Sequence, residues 1–471
     1  MEAVTQGIGR LFGQLGKLVG LGFVGLLAGL SVISLGTKAL VLVPALAVAF
    51  AMIVIPYSPL FAIAASIPIN VELAGPITVI RLVIVYGLFV ALLQGAKGQA
   101  PRVHIPLPEG ALTLCLFVWI FFSTLAVSEG ELVSRLGGFF IYAVVFFVML
   151  IYVDTLHRFR QVILTLVIVG LFQVALVIAE TRFDIVVLGG LQAELAELTG
   201  EEVRAVGASA HPIFLASFFQ LAMVFAILLM ATTQKPAVRL AMLAALGLFL
   251  LAWYSAWSRS SWIGMFAMIF LTSLIWSKGS RTLAIVGGTI GFVVLATHSF
   301  SLSAVIQSID NLSAVQQGSL RAGVSSSSES FSWRTENWTA AVSVWASHPL
   351  FGVGVDRVEV FMPAHLPPDA VAHRFVQPAI PHNMFLQVMA ESGLPALLMF
   401  VALWISAFVA LLHAWRVDKL RPYAFALLVV LAGQFTTFLF NPIPREIWFT
   451  MAMALVLGRM ARQYRQQGEV E

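Results

Sequence analysis

Apolar runs of roughly 20 residues, the length of a bilayer span, follow one another along most of the chain, separated by short polar links. About fourteen begin near Val19, Ala39, Pro59, Thr78, Gly110, Gly137, Gln161, Pro212, Val238, Ser261, Thr282, Met384, Pro422 and Ile447. Within a bilayer a helix satisfies its own backbone groups, so these runs predict spanning helices. Pro59 and Pro68 interrupt the third run, which suits a re-entrant pair or a total nearer twelve.

One interruption is far longer than a connector between packed helices needs to be. It runs from about Ser299 to Pro381, and its first half contains the low-complexity run Ser325 to Ser328. From Ser332 the spacing of Trp338, Ala341, Val342 and Trp345 predicts an amphipathic helix lying at a membrane interface and ending at Pro349. Gly352 and Gly354 predict a turn, and a Pro-rich stretch then leads to Pro381, His382 and Asn383 before the next span.

Composition supports the pattern: of 471 residues 60% are hydrophobic and 11% charged, too apolar for a soluble core to enclose. The single cysteine, Cys115, lies within an apolar run and can form neither an intrachain disulfide nor a metal cluster. Arg10 and Lys17 precede the first run with no cleavage pattern after it, so that run reads as a retained span. Charge adds orientation. Alternate connections and the tail carry 16 of the 27 Lys and Arg residues, which makes that side the cytoplasm and both termini cytoplasmic. Topology thus accounts for most of the basic residues, and the net charge of +4 points to no nucleic-acid partner. The expected fold class is an all-α integral membrane protein with about 12–14 transmembrane helices and one large outer-face loop containing interfacial helices. It divides into N-terminal transmembrane helices (1–180), central helices with outer-face arginine loops (181–298), the large loop (299–381), and C-terminal helices with a short tail (382–471).

The same alternation puts Arg204, Arg259, Arg334 and His382 on the outer face. His382 follows a proline and opens an apolar helix, whose positive end disfavours imidazolium; a neutral imidazole can take a proton from a hydroxyl. A histidine that only caps or anchors the helix is the competing reading. Glu391 lies nine residues on, about half a turn out of phase, so the two side chains form no dyad on a straight helix. Gly393 and Pro395 predict a bend just beyond it. Arg259, in a short link between two helix ends, offers a planar fork suited to diphosphate oxygens, with snorkelling to the interface as the alternative. Arg204 ends an acidic loop, where a salt bridge to Glu201 or Glu202 competes with ligand binding, and Arg334 can pair with Glu336 or with phosphate. His211 reads as a helix-start residue. No Walker loop, zinc spacing, nucleophile elbow or tight carboxylate pair occurs, so no metal and no cofactor is expected.

Trp333-Arg334 through His348-Pro349-Leu350-Phe351-Gly352-Val353-Gly354, then His382-Asn383 and Glu391-Ser392-Gly393, resembles the bacterial O-antigen ligase and O-antigen polymerase superfamily. The stretches Arg204-Ala205-Val206-Gly207 to His211-Pro212 and Ser258-Arg259-Ser260-Ser261 resemble two further segments of it, so the likeness covers about the C-terminal 270 residues. One departure is Ala396, three positions after Gly393, where members often carry a second glycine-like residue. The resemblance implies a metal-independent, inverting glycosyltransferase that takes a glycan from an undecaprenyl diphosphate carrier on the periplasmic face. It implies that Arg204, Arg259 and Arg334 hold the diphosphate and that His382 activates the acceptor hydroxyl, with Glu391, Asn383 and His211 as supporting residues. The partners implied are the lipid-linked donor, a sugar or lipid-linked acceptor, the bilayer and a chain-length regulator. Nothing identifies a lipid A core acceptor, which favours chain growth over ligation. A small-anion transporter of the same superfamily is the alternative, kept open by Arg81 and Glu391 within spans; a protein O-glycosylation ligase is another, disfavoured by the short tail.

Overall fold

A computed structural model describes residues 58–69, 72–74, 77–78, 80–85, 87, 109–127, 132–183, 205–209, 211–256, 258–275, 327–366, 380–442 and 445–467. The spans expected near Val19, Ala39 and Thr282, and the Ser-rich half of the large loop up to residue 326, lie outside the described residues. The elements in chain order are α1 (Ser58–Ser66), a two-stranded hairpin β1 (Glu72–Ala74) and β2 (Ile77–Thr78), α2 (Glu109–Val127), α3 (Leu132–Tyr152), α4 (Leu156–Phe183), α5 (Pro212–Thr232), α6 (Pro236–Ser255) and α7 (Arg259–Ile275). They continue with α8 (Ser327–Ser347), α9 (Val358–Phe361), a 3-10 turn (Met362–His365), α10 (Met384–Trp415), α11 (Arg421–Phe438) and α12 (Arg445–Gln466).

The protein is an all-α integral membrane protein, and the small hairpin is the one departure among the described residues. Helices α2, α4, α5, α6 and α10 are each long and apolar enough to cross a membrane. Within the interrupted third run the described residues include α1, which ends at Ser66, before Pro68.

Two packing relations position the rest. Helix α12 is buried on every side from Glu446 to Ala461 and packs against α10, α3 and α11, so it forms the centre of the bundle. Its Trp448 meets Phe117, Tyr142 and Phe400, joining α2, α3 and α10 around one aromatic cluster. Beside it, α7 and α11 approach through Gly264 and Gly433: a Cβ on Gly264 would lie 2.7 Å from the Gly433 carbonyl oxygen, the close backbone contact that small residues permit in membrane bundles.

Helix α8 begins earlier than its spacing predicts and ends at Ser347, as Pro349 requires. Its buried face is Asn337, Ala340, Ala341 and Val344. Of the expected stripe Ala341 lies on this face, Trp338 and Trp345 are half-buried and Val342 is exposed. The helix docks on α10 and the 3-10 turn, so a tertiary contact holds it.

Candidate active site

The polypeptide is broken at Gly393, inside α10, where φ is 81° and ψ 179°. In a continuous helix the Ala390 carbonyl would accept from Leu394 and the Glu391 carbonyl from residue 395. Pro395 has no N–H, and the Leu394 amide turns instead to the Pro349 carbonyl at 2.9 Å. The two carbonyls are satisfied from the large loop, by Val353 N–H at 2.9 Å and Gly354 N–H at 2.8 Å, while Trp119 Nε1 donates to the Ser392 carbonyl at 2.9 Å. A helix break among spanning helices is tolerated when other backbone groups take up the freed valences, and here the segment His348 to Gly354 does so.

This contact explains two glycines. Cβ atoms on Gly393 and Gly352 would overlap the backbones of Leu350 and Glu391 respectively, and both residues have positive φ. The Glu391 side chain belongs to the same bracket: it is 7% exposed, accepts from Gln387 Nε2 at 3.1 Å and is hydrogen-bonded by the Asp356 backbone amide. Those bonds make it a structural carboxyl of the loop contact.

Helix α10 starts at Met384, where the apolar run begins, so His382 lies just before the helix. Asn383 is its N-cap, its side-chain oxygen accepting from Phe385 N–H at 3.0 Å and Leu386 N–H at 3.1 Å. His382 stands one residue outside, in a left-handed conformation with φ 47°. Its neutrality has a different main cause from the helix field expected. Burial comes first, followed by the positive charge of Arg334 and the proximity of His211, and together they push the imidazole down to about 3.

Arg334 and His211 therefore both act on His382, although they come from α8 and from the start of α5. The Arg334 guanidinium lies over the Phe440 ring, 5.9 Å from its centroid, and Trp338 packs on the same ring at 6.1 Å. His211 caps α5, its Nδ1 accepting from Ile213 N–H at 3.2 Å, as its reading as a helix-start residue expects. Upstream, the loop of residues 205–209 is stapled down. Glu180 accepts from the amides of Val206 at 3.1 Å and Gly207 at 2.9 Å, and Gln173 accepts from Ala208 at 2.9 Å while donating to Pro68. The Ala205 amide donates to the Ser255 carbonyl at 3.3 Å, which ties this loop to the end of α6.

Arg259 is the first residue of α7, which Ser258 caps through its bond from Ser261 N–H at 3.4 Å. The Arg259 side chain and all of Arg204 lie outside what is described, although Arg204 directly precedes the stapled loop. The structure thus brings Arg334, His211 and His382 together, with Asn383 setting the helix start. Sequence reading missed Glu180, Gln173 and the Asp356 amide, because single polar residues at helix ends carry no spacing signal.

The segment holding the broken helix, its loop and His382 matches the family model described as O-antigen ligase over residues 244–401. The likeness covers about a third of the chain and supports a membrane protein similar to the O-antigen ligase and polymerase superfamily. The matched stretch includes Arg259, Arg334, His382 and Glu391, and leaves Arg204 and His211 before it. No curated relative matches the chain.

Proposed function

We propose that this protein transfers a glycan from an undecaprenyl diphosphate carrier to an acceptor hydroxyl, on the periplasmic face of the bacterial inner membrane. The acceptor is the end of a growing O-antigen or exopolysaccharide, or lipid A core. The observation that carries this reading is the meeting of Arg334, from the large loop, with the buried imidazole of His382 at the mouth of a span.

In this reading His382 takes the proton of the acceptor hydroxyl as its oxygen attacks the anomeric carbon. The bond from that carbon to the diphosphate oxygen breaks with inversion, and the electron pair leaves on the diphosphate. Arg334, joined by Arg204 and Arg259, holds the developing negative charge, so the step needs no metal ion. An imidazole held near 3 is deprotonated at working pH but weakly basic. A bound diphosphate offsets the charge of Arg334, which removes one of the depressing causes and raises the basicity of His382 when donor is present. His211 and Asn383 fix the helix starts around it, and Glu391 fixes the loop.

The test is purified full-length protein in nanodiscs with a polyprenyl diphosphate-linked glycan. Product is expected from wild type and not from His382→Ala or Arg334→Ala. Full turnover by both variants would overturn the role assignments, and no product from folded wild type would overturn the activity.

A further inference from the structure

Helix α8 is held on α10 by small residues. Ala340, Ala341 and Val344 share one apolar cluster with Ala390, and Leu386 packs against it. At the other end of the same face, Arg334 is near enough to act on His382. The two helices therefore run side by side, with Asn337 between these contacts, one turn from Arg334 and one turn from Ala341.

Asn337 is 0% exposed, and neither its amide oxygen nor its amide nitrogen meets a hydrogen-bond partner among the described residues. An uncharged group with one strong acceptor and two donors, sealed without partners, opposes the docked position of its helix. Among the described residues the apolar contacts of this face lie on one side of Asn337 only, from Ala340 to Val344. The group an amide of this kind matches is one that also donates and accepts without charge, such as a sugar hydroxyl; a diphosphate could use only its donors.

We propose that Asn337 binds a hydroxyl of the glycan substrate when α8 lifts from α10, placing the sugar next to His382. This rests on the transfer reading above. The sealed arrangement is the substrate-free position, and the glycan supplies the partners that α10 does not.

Asn337→Leu separates this role from a structural one. Leucine fills nearly the same volume without polar atoms, so full-length protein in nanodiscs should melt at or above the wild-type temperature. Its kcat/KM for the lipid-linked glycan isolated from the native cells should fall on the order of 10- to 100-fold. Asn337→Ser, which keeps a neutral donor and acceptor, should lie between. Wild-type turnover in Asn337→Leu overturns the proposal. So does a lower melting temperature with turnover reduced only in proportion to the folded fraction. Product from wild type but not from His382→Ala, with Asn337→Leu fully active, removes Asn337 alone; no product from folded wild type removes the transfer reading and this inference with it.

Discussion

The Gly354 amide occupies the place of the one that Pro395 lacks, donating to the Glu391 carbonyl at 2.8 Å. Two segments well apart in sequence are in this way one hydrogen-bonded unit, and that unit holds the large loop against the break in α10. The motif around His348 to Gly354 acts through its backbone, which is why its glycines matter more than its side chains.

Gly393→Ala should damage the protein through this unit. A methyl group there overlaps the Leu350 carbonyl, and the residue must also hold a φ of 81°. Strain and overlap together should lower stability by about 2–4 kcal/mol. Thermal unfolding in detergent, with hydrogen exchange at Val353 and Gly354, is the check; unchanged protection of those amides would show that the loop does not depend on Gly393.

The buried His382 should make stability depend on acidity. Its folded value lies at about 3 and its ordinary value at 6.5, so between these limits the unfolded chain binds the extra proton. Stability is therefore fully present above about pH 6.5 and is lost as pH falls toward 3, by on the order of 5 kcal/mol. Melting temperature measured from pH 7 to pH 4 should fall less steeply in His382→Gln than in wild type. Parallel curves would place the acid sensitivity elsewhere.

Asn383→Ala should remove the cap of α10 and lower stability by about 1 kcal/mol, whereas Asn383→Ser or Asn383→Asp should retain most of it. Because His382 is the preceding residue, turnover in the alanine variant should fall further than the folded fraction does. Equal losses in both would confine Asn383 to capping.

Glu391→Gln should keep the fold and most of the activity, since an amide oxygen can still accept the Asp356 backbone bond. Glu391→Leu, with no acceptor, should lower stability by roughly 1–3 kcal/mol. A midplane transport group would behave differently, because loss of its charge alone would abolish function. Comparing the two variants in melting and turnover assays decides between a structural carboxyl and a transporting one.

Much of the site was legible one residue at a time. Proline before His382, glycines at 352, 354 and 393, and arginine at the head of a helix are local signals, because each concerns a conformation or charge that the residue imposes on itself. The exact helix start was less legible. His382 and Asn383 both suit a terminus, and only the cap hydrogen bonds to Phe385 and Leu386 separate them. The face of α8 was read from Trp338, Ala341, Val342 and Trp345, and burial kept Ala341 but turned toward Asn337, Ala340 and Val344.

Apolar run length and the charge bias of alternate links by themselves determined a membrane-embedded helical protein, because bilayer thickness and backbone satisfaction leave a span few alternatives, and the residue motifs gave its likeness to this superfamily. Tertiary structure decided what pairing at a distance decides: that the amides of Val353 and Gly354 complete the broken α10, that Arg334 and His211 converge on His382, and that burial, more than any helix field, keeps its imidazole uncharged. Those outcomes depend on which surfaces exclude water from one another, a property that no single stretch of sequence carries.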